Sequence, residues 1–257
     1  DTQYLGACTK GANKSIVRQQ PYSDILAPQR AYSLKQSYMT SIVREVITDK
    51  KLTYFASKSE LREKTIEELL KERFAPYIGM TQKQMAEHLD VPFNPGNKAF
   101  IAKLISSLLG VKGTHLDKIA EFAKANIQFK TVRLKENGIP KEHMSFVNID
   151  FKEIVKEDWE ESYIRNYFLE TQLLFVVFQF NAKDELIFKG IKLWHMPMET
   201  IETKLYEYWD AIRKTVSEGV QLQETKRGIK NNLPNAKFNG VLHVRPKGRN
   251  AADKTEL

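Results

Sequence analysis

Six consecutive apolar residues, Leu173-Leu174-Phe175-Val176-Val177-Phe178, constrain this chain more than any other stretch. The run is far too short to cross a bilayer. It is also too uniformly apolar for a strand with one wet face, so it reads as a strand buried on both sides. Asn181 to Asp184 follow as a polar hairpin turn, and Leu186 to Trp194 return as the next strand. Ile127 to Leu134 is another strong strand, with an Asn137-Gly138 turn behind it, and His143 to Phe151 is a further candidate.

Helices lie on either side of these strands in the chain. Ser59 to Phe74 is amphipathic, with Leu61, Ile66, Leu69 and Leu70 on one face and an acid-rich start. Thr81 and Gln84 form a capping box for a short helix ending near Leu89. Pro92, Pro95 and Gly96 make a loop, and Asn97 then caps a helix through Leu109 that Gly110 stops. Thr114 to Ala125 gives a helical turn or two, and Tyr163 to Phe180 changes from helix to strand. Glu199 to Ser217 is a long helix with Ile201, Leu205, Tyr208, Trp209 and Ile212 facing inward. Val241 to Val244 reads as a short strand, and residues 1–57 as loop, strand and turn, then a helix or strand around Tyr38 to Val46. The expected class is α/β, a mixed sheet flanked by helices.

The charge balance points to a polyanion. Net charge is +8 and the pI about 9.3, the footprint of a nucleic-acid partner or, less often, a membrane surface. A single cysteine, Cys8, excludes a disulfide framework within the chain and a Cys-based zinc site, and fits a cytoplasmic location. No signal peptide is visible. The chain begins at Asp1 rather than Met, as a fragment or processed product would.

Two polar constellations carry the functional reading. In Gln128-Phe129-Lys130, strand alternation puts Gln128 and Lys130 on one face while Ile127 and Phe129 point into the core. A strand reading acid-x-Lys, with a second acid a few residues upstream, is how many metal-dependent DNA-cutting enzymes hold Mg²⁺ and the attacked phosphate. Here Glu121 is the upstream acid, Lys130 is present, and Gln128 stands where the central acid would be. Taken alone, the pattern also describes a half-solvated strand edge. The second constellation is the tail. Between Lys226 and Lys254 lie Lys226, Arg227, Lys230, Lys237, Arg245, Lys247, Arg249 and Lys254, against the single acid Asp253. Pro246 stiffens the loop between Arg245 and Lys247, and Gly248 permits close backbone approach. Arginine can read guanine in the major groove, whereas lysine tends to neutralise phosphate. The histidines His88, His115, His143, His195 and His243 show no metal-ligand spacing.

Part of the tail repeats the start. Leu5-x-x-x-x-Lys10-Gly11-x-Asn13 recurs as Leu242-x-x-x-x-Lys247-Gly248-x-Asn250, as if residue 1 onward were the end of an earlier copy of the same domain.

The helix start Asn97-Lys98-Ala99-Phe100, the apolar hairpin, Trp194-His195-Met196-Pro197, Tyr208-Trp209 and the tail Leu242-His243-Val244-Arg245-Pro246-Lys247 occur in an order and spacing that resemble the MutH family. That family comprises the mismatch-repair endonuclease and related type II restriction enzymes acting at GATC. The resemblance covers roughly residues 58–257. Residues 4–46 resemble the family's C-terminal tail, through Tyr4-Leu5, Lys10-Gly11-Ala12-Asn13 and Arg30-Ala31-Tyr32-Ser33-Leu34-Lys35. The implied layout is the tail of a preceding MutH-like domain plus linker over 1–57, and a MutH-like DNA-binding domain with a degenerate nuclease core over 58–257. The implied architecture is the restriction-endonuclease-like MutH fold.

Carried over residue by residue, the family's helix acid falls on Ser106, its second acid on Glu121 (or Asp117 with an insertion), its strand acid on Gln128 and its lysine on Lys130. Two acidic positions are then neutral, and the one remaining carboxylate is a poor basis for Mg²⁺, which takes hard oxygen ligands. The resemblance therefore implies a non-catalytic C-terminal half of a type II restriction endonuclease, with no metal of its own. Mg²⁺ would belong to the catalytic domain of the whole enzyme. Lys98, Lys130, Arg245, Pro246, Lys247, Gly248, Arg249 and Asn250 would face duplex GATC. Such a domain would act as an allosteric effector of an N-terminal catalytic domain in the same polypeptide; dimerisation on DNA stays open, and no membrane is involved. Two other readings stand beside it: an active Mg²⁺-dependent endonuclease with acids rebuilt from Glu121 and Asp117, and a protein–protein or dimerisation module.

Overall fold

The computed structural model describes residues 5–10, 16–48, 52–113, 115–225 and 228–245. The chain divides into two compact units, one of residues 1–142 and 170–194, the other of residues 143–169 and 195–257.

The first unit is organised by a three-stranded mixed sheet. β5 (Ile127–Leu134) pairs parallel with the central β6 (Gln172–Phe180), and β7 (Leu186–Trp194) pairs antiparallel with β6. One face carries Phe129, Leu174, Val176, Phe178 and Phe188 into the main core. Across the other face runs a rung of Lys130, Phe175 and Lys192, in register over all three strands. The junction that starts β5 is specific. α6 (Ala120–Ala125) ends at Asn126, whose left-handed backbone (φ 52°) breaks the helix. Asn126 then accepts from Gln172 N through its carbonyl (3.0 Å) and donates from Nδ2 to Thr171 Oγ1 (3.1 Å). One residue thus ends a helix and sets the two parallel strands level.

Helices cover the core face. The expected single helix from Ser59 to Phe74 is two: α2 (Glu60–Glu63) and α3 (Ile66–Phe74). The break is at Thr65, which forms a reciprocal capping box with Glu68 and restarts the helix so that Ile66, Leu69, Leu70 and Phe74 face inward. The Thr81–Gln84 box is present and opens α4 (Gln82–His88). α5 (Phe100–Leu108) starts later than expected. Asn97 Oδ1 accepts from Ala99 N in a turn ahead of the helix, and Gly110 at φ 77° closes its far end.

The N-terminal segment packs in this unit. It comprises β1 (Leu5–Thr9) paired with β4 (Arg30–Leu34), the hairpin β2 (Val17–Gln20) and β3 (Ser23–Pro28), and α1 (Gln36–Thr48). α1 lies on α6, with Ser37 Oγ donating to Lys124 O (3.5 Å) and Glu45 paired with Lys124 (3.4 Å).

Two expected strands are absent. His143 to Asp150 is irregular, and Asp150 Oδ1 then accepts from Lys152 N and Glu153 N to cap α7 (Phe151–Ile154). Polar side chains interleave with the apolar ones there, and the cap diverts the chain into a helix. Val241 to Val244 pairs with no strand; Val244 N donates to Pro234 O (2.8 Å) as an isolated tie.

The second unit holds α7, α8 (Tyr163–Glu170, whose last residue belongs to the first unit), α9 (Met198–Thr200), a π-turn over Ile201–Leu205, α10 (Tyr206–Glu218) and the hairpin β8 (Leu222–Thr225) and β9 (Gly228–Asn231). The long helix expected from Glu199 is thus interrupted by one wide turn. Glu202 in that turn accepts from Arg165 Nε (3.0 Å) and Nη2 (2.6 Å) and from Trp159 Nε1 (2.9 Å). Trp159 in turn packs against Tyr206 and Trp209. No helix among the described residues is long and apolar enough to cross a membrane.

Replacing Asn126 tests the junction. Asn126→Val puts a β-branched side chain at positive φ and is expected to cost about 1–3 kcal/mol, read as a lower thermal midpoint. Asn126→Gly keeps the backbone and loses only the Thr171 bond, so it should fall between wild type and Val. Equal midpoints for Val and Gly would remove the left-handed backbone from the explanation.

Candidate functional site

A mostly apolar pocket of about 470 Å³ opens beside the start of β5. α5 supplies Ala99, Ala102, Lys103 and Ser106 to one wall; Ile127, Gln128 and Phe129 supply the other; Gly113, His115, Leu116 and Asp117 close it. Ser106 is 1% exposed, and its hydroxyl donates to Lys103 O (3.0 Å). Asp117 sits exposed on a single 3-10 turn, Leu116–Lys118. The positions singled out as Ser106 and Gln128 therefore meet in space, and the acid beside them is Asp117.

Glu121 is elsewhere. It is 1% exposed, and its carboxylate accepts from the backbone N–H groups of Phe55 (3.3 Å) and Ala56 (3.1 Å). Burial raises its pKa above the ordinary carboxylate range, opposed by those backbone donors. The separation of Asp117 from Glu121 has a local cause. On one continuous helix, residues four apart share a face. Here Ile119 is extended (φ −72°, ψ 124°) and bridges Thr53, with Thr53 N donating to Lys118 O and Ala120 N to Thr53 O. The 3-10 turn and α6 are thus two elements that aim their acids differently.

A larger cleft of about 770 Å³ lies on the other side of α5 and shares Ala102 and Phe129 with the first pocket. Lys98 and Lys83 line it, with Phe93, Phe100, Phe129 and Phe180 as its apolar floor. Arg133 also lines it but is held by Glu142 in a forked pair, Nε to Oε1 and Nη2 to Oε2, both 2.7 Å. Reading the sequence missed Lys83, Lys103 and His115 as pocket residues. Only the chain's return brings them in, and no spacing marks them.

Lys130 is half-buried on the sheet face away from the main core, in register with Phe175 and Lys192. Arg245 is exposed and belongs to the second unit. Just before it, His243 lies edge-on to His143, ring centroids 4.6 Å apart. Burial, His143 and Arg245 together depress the His243 pKa. Pro246, Lys247, Gly248, Arg249 and Asn250 lie outside the described residues, as do Lys226, Arg227 and Lys254. Among the described residues, no three His, Cys, Asp or Glu side chains converge as a metal site.

A mixed sheet under helices, with a strand-start pocket of this composition, is the frame of a restriction-endonuclease-like protein, and comparison with known proteins agrees. Residues 114–205 match the family model for the DNA mismatch repair enzyme MutH. The chain is 40% identical over 269 aligned residues to the type II restriction enzyme Sau3AI of Staphylococcus aureus, covering 97% of this chain and 55% of that enzyme. It is 26% identical over 195 residues to the DNA mismatch repair protein MutH of Pasteurella multocida (strain Pm70), covering 73% of this chain and 80% of that protein. The chain is thus similar to the MutH family over residues 114–205 and, over nearly its whole length, to a type II restriction endonuclease, of which it spans about half the length.

The Glu121 carboxylate makes a pH-dependent prediction. A carboxyl whose pKa is raised by folding binds its proton more tightly when folded. Its contribution to stability is complete below the ordinary carboxylate pKa and is lost as pH rises through the folded value. Glu121→Gln keeps an acceptor oxygen without titrating. Urea titrations should therefore show the variant gaining on wild type between pH 4.5 and 7. A constant difference would place the carboxylate in water. Glu121→Ala leaves two buried N–H groups unpaired and should cost about 1–3 kcal/mol at either pH.

Proposed function

We propose that this chain is the C-terminal, DNA-holding half of a cytoplasmic type II restriction endonuclease that recognises double-stranded GATC. It does not itself cut. DNA bound here biases a preceding catalytic copy of the domain toward cleavage, an effector role that requires the two DNA sites to be linked through the state of the whole polypeptide. The observation that carries the reading is the set of polar side chains in the pocket at the start of β5. Where the family places acids, Ser106 and Gln128 are neutral, the Ser106 hydroxyl is committed to Lys103 O, and Asp117 is the one carboxylate lining the pocket.

That donor set does not suit Mg²⁺. The ion dehydrates reluctantly and is held by carboxylates together with phosphate oxygens. An amide at position 128 removes a full charge from the site, and a buried hydroxyl already engaged at 106 replaces none of it. What the domain offers DNA is cationic. Lys98 and Lys83 rim the larger cleft, Lys130 and Lys192 flank Phe175 on the sheet, and Arg245 leads into the basic tail. Lysines serve phosphates, and Arg245 is assigned to a base edge. The sequence match to the Staphylococcus aureus restriction enzyme and to MutH supports DNA as the partner.

Duplex binding over a salt series tests this. Affinity should fall steeply with salt, and a GATC duplex should bind more tightly than a scrambled one. Lys247→Ala should weaken both about equally and lower the salt slope by about 1, whereas Arg245→Ala should cost about 1–3 kcal/mol on GATC and less on the scrambled duplex. Negligible binding to either duplex would leave the chain a protein–protein module. Supercoiled plasmid incubated with the chain and Mg²⁺ should stay intact. Cleavage at GATC that Lys130→Ala abolishes would make it an active endonuclease with rearranged acids.

A further inference from the structure

α1 is built inside out. Ser37, Ser41 and Glu45, spaced four apart, form the stripe that lies against α6, with Ser41 only 5% exposed. The apolar stripe Met39, Ile42, Val43, Val46 and Ile47 follows helical spacing on the opposite side and is exposed, Val46 to 78% and Ile47 to 75%. An amphipathic helix normally turns its apolar stripe to a core and its serines and acids to water. The neighbouring strands do the same. Along β4, Ala31 and Ser33 are half-buried while Tyr32 is 94% exposed, and Ile25 on β3 is 74% exposed. About half of the exposed large apolar side chains among the described residues lie between Ile16 and Ile47. So many exposed large apolar side chains in one stretch of chain mark a candidate interaction surface.

We propose that the outward stripe of α1, together with Tyr32 and Ile25, docks against a second MutH-like domain of the same polypeptide, lying ahead of residue 1, and completes that domain's core. Two observations name this occupant. Leu5-x-x-x-x-Lys10-Gly11-x-Asn13 repeats the motif Leu242-x-x-x-x-Lys247-Gly248-x-Asn250. Residues 16–47 therefore follow directly on a second occurrence of this tail motif. The aligned Staphylococcus aureus enzyme also extends well beyond the match, since this chain covers 55% of it. The proposal rests on the two-copy part of the reading above and is independent of whether this half binds DNA.

Hydrogen exchange and sedimentation, both without DNA, test it on the 257-residue chain and on the polypeptide as encoded. Amides of α1 should exchange about tenfold more slowly, or slower still, in the encoded polypeptide than in the shorter chain. Val46→Glu combined with Ile47→Glu should abolish that protection while leaving the melting midpoint of the 257-residue chain unmoved, because those side chains belong to another core. Equal exchange in the two proteins overturns the proposal. So does a fallen midpoint in the shorter chain, which would assign the stripe to its own core. Concentration-dependent self-association of the shorter chain, removed by the double substitution, overturns it in favour of a second copy of this chain. A coding region with no MutH-like stretch ahead of residue 1 overturns it outright. Because no arm contains DNA, failure of GATC binding leaves every one of these readouts unchanged.

Discussion

The parallel pairing of β5 with β6 is the contact on which the rest of the first unit depends. Parallel strands cannot be joined by a tight turn, and here the connection runs from residue 135 to residue 171 and includes α7 and α8. Asn126 fixes where that long excursion must return, by bonding to both Thr171 and Gln172. The level of the two strands then decides everything beside them. It brings Gln128 next to Leu173 and Lys130 next to Phe175, and it sets the strand start against Ser106 of α5 to form the smaller pocket. Shifting the pairing by one residue would exchange the core-facing Phe129 with its polar neighbours.

Around this sheet, burial is divided between two kinds of contact. The core face is held by packed aromatic and branched side chains such as Phe74, Phe178 and Phe188. The segments that approach from far along the chain are held by polar ties. Glu121 reaches back to the backbone of Phe55 and Ala56, and Lys124 joins Tyr54 and Glu45. In the second unit, Glu202 gathers Arg165 and Trp159 from a π-turn, a geometry that rotates one carboxylate out of the ordinary helical order.

Strong local signals were legible in the sequence. The six-residue apolar run, its hairpin partner and β5 lie where periodicity puts them, because an apolar strand has few alternatives. The Thr81–Gln84 box was visible because both halves of it are local. The box at Thr65 has the same form but lies inside a longer amphipathic pattern, and periodicity concealed the restart. Residues 143–151 read as a strand from alternating apolar positions, yet the Asp150 cap decides for a helix. The pocket was half legible. Ser106 and Gln128 were found by resemblance, but spacing alone could not choose between Asp117 and Glu121. That choice depends on Thr53 bridging Ile119, a contact sixty-six residues apart in the chain. The inverted polarity of α1 was invisible for the same reason. Periodicity shows that a helix has an apolar face and not which neighbour the face will meet.

The burial of Ser106 has a consequence for engineering. Its hydroxyl is satisfied at Lys103 O and its surroundings have closed to 1% exposure. A glutamate introduced there must push its neighbours apart, extend into the pocket that Ser106 lines, or carry a charge into a dry interior at a cost of several kcal/mol. A carboxylate is therefore accommodated at position 106 only in a rotamer that reaches the pocket, and the packing around α5 sets how easily one substitution can place it there.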